Sequence, residues 1–171
     1  MENGIVGLDP DLLDFAEEEG KRQERSVVET LSALGRGANT LLGIQLVFLG
    51  AAVGYTVDLL SSGGLSPLAA GGAGLALWVA AVAAWTTSKC LRHADWFPEG
   101  TEPQNVLIEG YTAAEVRRVQ LDRVSEKLAA NKARTVELAD ALNAARQWTL
   151  LAPLGYPAGW IVGLLIASSG A

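Results

Sequence analysis

Two segments of this 171-residue chain carry almost no charge, and this segregation constrains the fold more than any other feature of the sequence. Residues 41–88 contain one charged residue, Asp58, and residues 148–171 contain none. A helix at the surface of a soluble protein needs a polar face, which these segments cannot provide. A bilayer explains the pattern, because a charge at its centre costs about 2.5–3.5 kcal/mol even on insertion scales. The segregation therefore predicts an integral membrane protein.

Three segments have the length and apolarity of membrane-spanning helices, namely residues 41–60, 67–88 and 148–168. About 20 helical residues are needed to cross a hydrocarbon core near 30 Å thick. The segment that joins the first two spans is rich in Ser and Gly and is too short for a domain. The first two spans are therefore predicted to form a helical hairpin.

Two charged regions flank the spans, and helix signals organise both of them. Gly20 is expected to end an amphipathic helix in the first region before a second helical stretch begins. In the other region, Thr112-Ala113-Ala114-Glu115 is a capping-box pattern that predicts a helix start. Since no Gly or Pro follows before Gln147, we expect one long helix that continues into the third span, with a kink at Pro153 or Pro157.

These signals predict an all-α membrane protein of four parts. They are an acidic arm with an amphipathic helix (1–40), a transmembrane hairpin (41–88), a connector with a long helix (89–147), and a third span with a short C-terminus (148–171). All 13 Lys and Arg residues precede the first span or lie between Lys89 and Arg146. The positive-inside rule then places residues 1–40 and 89–147 in the cytoplasm and the C-terminus outside.

Glycines at four-residue spacing predict where the spans pack closely against other helices. The third span contains Gly155, Gly159 and Gly163, and the first contains Gly50 and Gly54. Such spacing forms a flat groove that another helix backbone can approach. The pattern allows packing within one subunit or between subunits, and a homo-oligomer is expected.

The long helix of the second charged region carries apolar residues at heptad spacing. This heptad seam consists of Leu121, Val124, Leu128, Asn131, Thr135, Leu138 and Leu142. Apolar residues at such positions favour a coiled-coil contact. The polar seam residues Asn131 and Thr135 either fix the register of self-association or line a small polar pocket. The alternative is a ligand site at Asn131, Lys132 and Arg134.

Several classes of function are excluded by what the composition lacks. One cysteine, Cys90, and one histidine, His93, leave no set of metal ligands, and no nucleophile–base pattern or phosphate-binding loop is present. We therefore expect no catalytic residues, no cofactor and no enzyme. A net charge of −6 argues against nucleic-acid binding. Gln45, inside the first span, either lines a conducting path or bonds to a neighbouring helix, and the second is favoured.

The arrangement of these features resembles a known group of proteins. A hairpin of spans ends in basic residues (Lys89, Arg92), a Pro/Gly connector follows (Phe97-Pro98-Glu99-Gly100), and a long helix with the element Asn131-Lys132-Ala133 leads into a last span. This layout is similar to that of the small transmembrane effectors of bacterial anti-phage signalling systems, the Pycsar-type and SLATT-like effectors.

The resemblance implies an effector in the bacterial inner membrane that oligomerises and disrupts the membrane during abortive infection. Its implied trigger is a cyclic nucleotide or a related small-molecule signal. Two other functions fit the same sequence: a holin-like pore, and a non-conducting scaffold that recruits a partner through its cytoplasmic helix.

Overall fold

Every element of the described structure is a helix. The computed structural model describes residues 10–64, 66–91 and 112–169. Its elements are α1 (Pro10–Gly63), α2 (Pro67–Thr86) with a π-helical turn (Thr87–Leu91), α3 (Ala113–Leu150), a 3₁₀ turn (Ala152–Leu154) and α4 (Gly155–Ser169). Three helical segments are long and apolar enough to cross a membrane, as the sequence predicts. The predicted Pro/Gly connector lies outside the described residues.

Helix α1 is a single helix of 54 residues, so the predicted break at Gly20 is wrong. An isolated glycine costs a helix only about 1 kcal/mol relative to alanine, which packing can offset. A Cβ atom built at Gly20 would lie 3.5 Å from Cγ1 of Val124, in ordinary contact. Because α3 packs against this turn, the amphipathic segment and the first span form one helix.

The long helix does not continue unbroken into the third span. Helix α3 ends at Leu150, and the chain tightens into a 3₁₀ turn in which the Leu154 N–H donates to the Leu151 carbonyl at 3.0 Å. Pro153 has no N–H group and disfavours the α conformation of the residue before it. The expected irregularity at Pro153 is therefore present, as a helix break rather than a kink.

The chain divides into two compact units, and the division falls within α1 and α3. Among the described residues, one unit comprises residues 10–32 and 112–136, and the other comprises residues 33–64, 66–91 and 137–169. We call the first the polar unit and the second the apolar unit.

In the polar unit, the first half of α1 lies beside α3. Arg117 bridges two carboxylates of α1, with Nη1 3.0 Å from Asp14 Oδ1 and Nε 3.3 Å from Glu17 Oε1. Further along, Lys132 Nζ donates to Gln23 Oε1 at 3.2 Å. Exposed ion pairs contribute about 0–1 kcal/mol each. The burial of apolar residues such as Val27 must therefore hold this helix pair together.

In the apolar unit, the hairpin predicted for the first two spans is present. Gly64 has a φ of +71°, a left-handed conformation that glycine adopts at little cost. The Ser66 hydroxyl then accepts a hydrogen bond from the Ala69 N–H at 3.2 Å, which caps the start of α2. The two helices meet where Gly72 lies against Thr56, because a Cβ atom at Gly72 would overlap that side chain.

The capping box predicted at the start of α3 is confirmed. The Thr112 N–H donates to Glu115 Oε2 at 2.9 Å, and the Glu115 N–H donates to the Thr112 hydroxyl at 3.3 Å. The hydrogen bond from the Thr112 backbone, followed by that from its hydroxyl, lowers the pKa of Glu115 below its ordinary value. The cap is therefore strongest when Glu115 is ionised.

We predict that the first turn of α3 loses protection at acidic pH. A lowered pKa adds stability above the ordinary pKa, and that stability is lost as the pH falls through the lowered value. Amide exchange of residues 113–116 should be slower in the wild type than in Glu115→Gln at neutral pH, and the difference should vanish in acid. Glu126→Gln, which removes an acid from the same helix, should match the wild type. An equal effect of Glu115→Gln and Glu126→Gln would contradict the capping role of the Glu115 carboxylate.

Candidate functional site

The glycines of the third span pack against α2 within the same subunit. A Cβ atom at Gly155 would lie 3.0 Å from the Gly74 carbonyl oxygen, and one at Gly163 would lie 2.7 Å from Cβ of Ala70. Gly159 meets the backbone of the same α2 segment. These contacts leave no space for side chains, so the ridge at Gly155, Gly159 and Gly163 is an internal helix–helix interface.

The glycines of the first span have the opposite environment. Apart from the adjacent residues and the nearby backbone of α1 itself, no heavy atom of the described chain lies within 4 Å of a Cβ atom built at Gly43, Gly50 or Gly54. At 100° per residue these three share one face of α1 with Val47 and Val57, both more than half exposed. We call these five residues the open α1 face. The buried residues Gln45 and Ala52 lie on the other side of the helix.

Gln45 joins three helices of the apolar unit. Its side chain is fully buried, and Nε2 donates to Thr86 Oγ1 at 3.1 Å and to Thr149 Oγ1 at 2.8 Å. Each threonine hydroxyl donates in turn to a carbonyl of its own helix, at Val82 and Ala145 respectively. The prediction that Gln45 bonds to neighbouring helices is therefore confirmed.

The side-chain carbonyl of Gln45 has no hydrogen-bond partner among the described residues. Oε1 is buried and accepts no hydrogen bond from the described residues. Both hydroxyls beside the amide are already committed as donors to backbone carbonyls, so neither can serve this oxygen. A buried acceptor without a donor costs about 1–3 kcal/mol. The amide therefore retains an unused acceptor inside the apolar unit.

A cavity of about 710 Å³ adjoins this amide. Its wall is mainly aliphatic and aromatic, with residues such as Phe48, Val79 and Leu150. The polar residues that also line it are Gln45, Arg146, Thr149 and Tyr156. Ligand pockets have volumes of about 300–1,000 Å³ and combine apolar walls with a few polar groups. The cavity has both properties.

An aromatic contact fixes the end of α3 beside α2. The rings of Trp78 and Trp148 are 5.8 Å apart and tilted by 52°. Trp78 Nε1 donates to the Trp148 carbonyl at 3.1 Å. Carbonyl groups in the last turn of a helix lack helical partners, and this indole satisfies one of them. Sequence reasoning assigned no role to Trp78, because its partner lies 70 residues away.

The heptad seam of α3 faces α1 of the same chain in both units. In the polar unit Val124 lies against Gly20, and in the apolar unit Leu138 and Leu142 pack around Ala38. Every seam residue is at least partly buried. The remaining seam residues are Leu121, Leu128, Asn131 and Thr135. The seam is therefore occupied within the subunit.

The three residues proposed as a ligand site, Asn131, Lys132 and Arg134, differ in exposure and in bonding. Lys132 is exposed and bonded to Gln23, and Arg134 is half-buried. Asn131 Oδ1 is buried and, among the described residues, has no hydrogen-bond partner. No hydrogen bond joins the three side chains in the part of the chain that the structure describes, and no group of three or more His, Cys, Asp or Glu residues there could hold a metal ion.

Comparison of the chain with known protein families, curated proteins and solved structures finds no match.

We predict that Asn131→Leu stabilises the pairing of α1 and α3. The substitution removes a buried acceptor without a donor and adds apolar area, a gain of about 1–3 kcal/mol. Chemical unfolding of the purified protein in micelles, followed by circular dichroism, measures this change. Lys132→Leu is the control. It removes an exposed side chain and its hydrogen bond to Gln23, so it should not stabilise the protein. Destabilisation by Asn131→Leu would show that the amide has a partner.

Proposed function

We propose that the protein is a non-enzymatic effector of bacterial anti-phage signalling that oligomerises in the inner membrane and disrupts it when a signal arrives. The observation that carries the proposal is the open α1 face. Three glycines lie on the exposed side of a membrane-length helix, while the glycines of α4 are used inside the subunit. Close helix packing is the main source of association in lipid, so an open small-residue face suits contact with a second copy.

The helices that join the two units support a signal-gated mechanism. Helix α1 is continuous and contributes residues to both units. Helix α3, which ends at Leu150, also contributes residues to both units. A change in the pairing of α1 and α3 within the polar unit would then alter helices that belong to the apolar unit. In this proposal, binding of a cyclic nucleotide or a related small molecule to the polar unit exposes or reorients the open α1 face.

The distribution of basic residues supports the proposed orientation. All 13 Lys and Arg residues lie before the first span or between the second and third spans. The polar unit then lies in the cytoplasm, where the signal is made, and the C-terminus lies outside.

The packing of α3 makes the scaffold function less favourable. A scaffold would present the heptad seam to a partner, yet α1 of the same chain covers the seam at Val124 and Leu142. A holin-like pore differs from the proposed effector in needing no signal, and expression alone should then depolarise cells.

We predict that Gly50→Leu with Gly54→Leu abolishes most of the membrane damage while the subunit still folds. A Cβ atom at either glycine meets no other helix of the described chain, so larger side chains there should leave the fold intact but block close approach of a second helix. Membrane potential, followed with a voltage-sensitive dye, should fall in phage-challenged cells that carry the wild type with its neighbouring genes. Cells that carry the double variant should keep their membrane potential.

Ala51→Leu with Val53→Leu is the matched control, because both residues are exposed and lie off the open α1 face. This control should behave as the wild type. Depolarisation by expression alone would favour the holin-like pore. An unchanged potential under every condition, with membrane insertion verified, would reject the effector.

A further inference from the structure

The cavity beside Gln45 has a single cationic residue on its wall, Arg146. Arg146 is the last charged residue before the uncharged third span. Its side chain is exposed, and Nη1 makes a long hydrogen bond of 3.4 Å to Asn143 Oδ1. Among the described residues no carboxylate lies within salt-bridge distance of the guanidinium. The cation therefore remains available to an anionic ligand.

The rest of the cavity suits hydrocarbon. Ile44 and Phe48 of α1, Val79 of α2 and Leu150 of α3 form its wall. In lipid, where burial of apolar area gains little, an acyl chain that fills the cavity gains from close packing against this wall. A ligand that fits both parts has an apolar chain and an anionic head.

The unpartnered Gln45 carbonyl indicates that the ligand also carries a hydrogen-bond donor. Gln45 is fully buried on the cavity wall, and its Oε1 accepts no hydrogen bond from the described chain. A headgroup hydroxyl can supply this donor. Phosphate, hydroxyl and acyl chain occur together in an anionic glycerophospholipid.

We infer that this cavity is a binding site for an anionic phospholipid, with one acyl chain in the cavity and the phosphodiester on Arg146. A guanidinium binds phosphate through two parallel N–H donors. Since no carboxylate of the described chain neighbours Arg146, the site offers no negative charge to the ammonium group of a zwitterionic lipid. The inference needs only that the apolar unit lies in a membrane, and it stands apart from the proposed effector function.

Native mass spectrometry of the full chain in detergent tests the site with phosphatidylglycerol and phosphatidylcholine of the same acyl composition. The wild type should bind phosphatidylglycerol about tenfold more tightly, the scale of one charge-assisted contact. The substitution Arg146→Gln should lower the affinity for phosphatidylglycerol to the affinity for phosphatidylcholine. Lys89→Gln, which removes another exposed base near the end of a span, should keep the preference.

A second pair of variants tests the hydrocarbon part of the site. Ile44→Trp fills the cavity from an exposed position and should weaken the binding of both lipids. Leu46→Trp, on the same helix but outside the cavity, should not. Equal binding of both lipids by the wild type, or an equal loss in Arg146→Gln and Lys89→Gln, would overturn the inference. So would equal binding by Ile44→Trp and Leu46→Trp.

Discussion

Close backbone packing between α2 and α4 is the contact on which the rest of the apolar unit depends. Lipid chains are as apolar as leucine, so helices in a bilayer gain little from burying apolar area and must gain from close packing. Gly74 of α2 and Gly155 and Gly159 of α4 bring the two backbones together. Because this contact uses the small residues of α4 inside the subunit, α1 is the helix left with an open glycine face.

The Gln45 cluster adds specificity to this packing. Interhelical hydrogen bonds in membranes contribute on average only about 0.6 kcal/mol, so the cluster adds little strength. Its geometry, however, requires Thr86 of α2 and Thr149 of α3 to lie at the same level as Gln45 of α1. It thereby fixes the register of three helices. The amide also keeps one unused acceptor beside the cavity, where we propose that a phospholipid binds.

Much of the fold could be predicted from local signals, whereas the helix partners could not. The lack of charge marked the spans, and the capping box at Thr112 marked the start of α3. The break expected at Gly20 is wrong because tertiary packing outweighs the small local cost of a glycine. Equal spacing made the glycines of the first and third spans indistinguishable, although one ridge is internal and the other is open. Heptad spacing in α1 (Leu13, Gly20, Val27, Leu34, Leu41) was the available signal that α3 pairs with α1.

Copies of the chain that associate in the membrane through the open α1 face, as we propose, should bring that face of two subunits together. Single cysteines at each position from 43 to 58, in a Cys90→Ala background, can be oxidised in native membranes and tested for disulfide-linked dimers. We expect maxima at positions 43, 47, 50, 54 and 57, with little cross-linking at the buried positions 45 and 52. A uniform profile, or maxima on another face of α1, would contradict it.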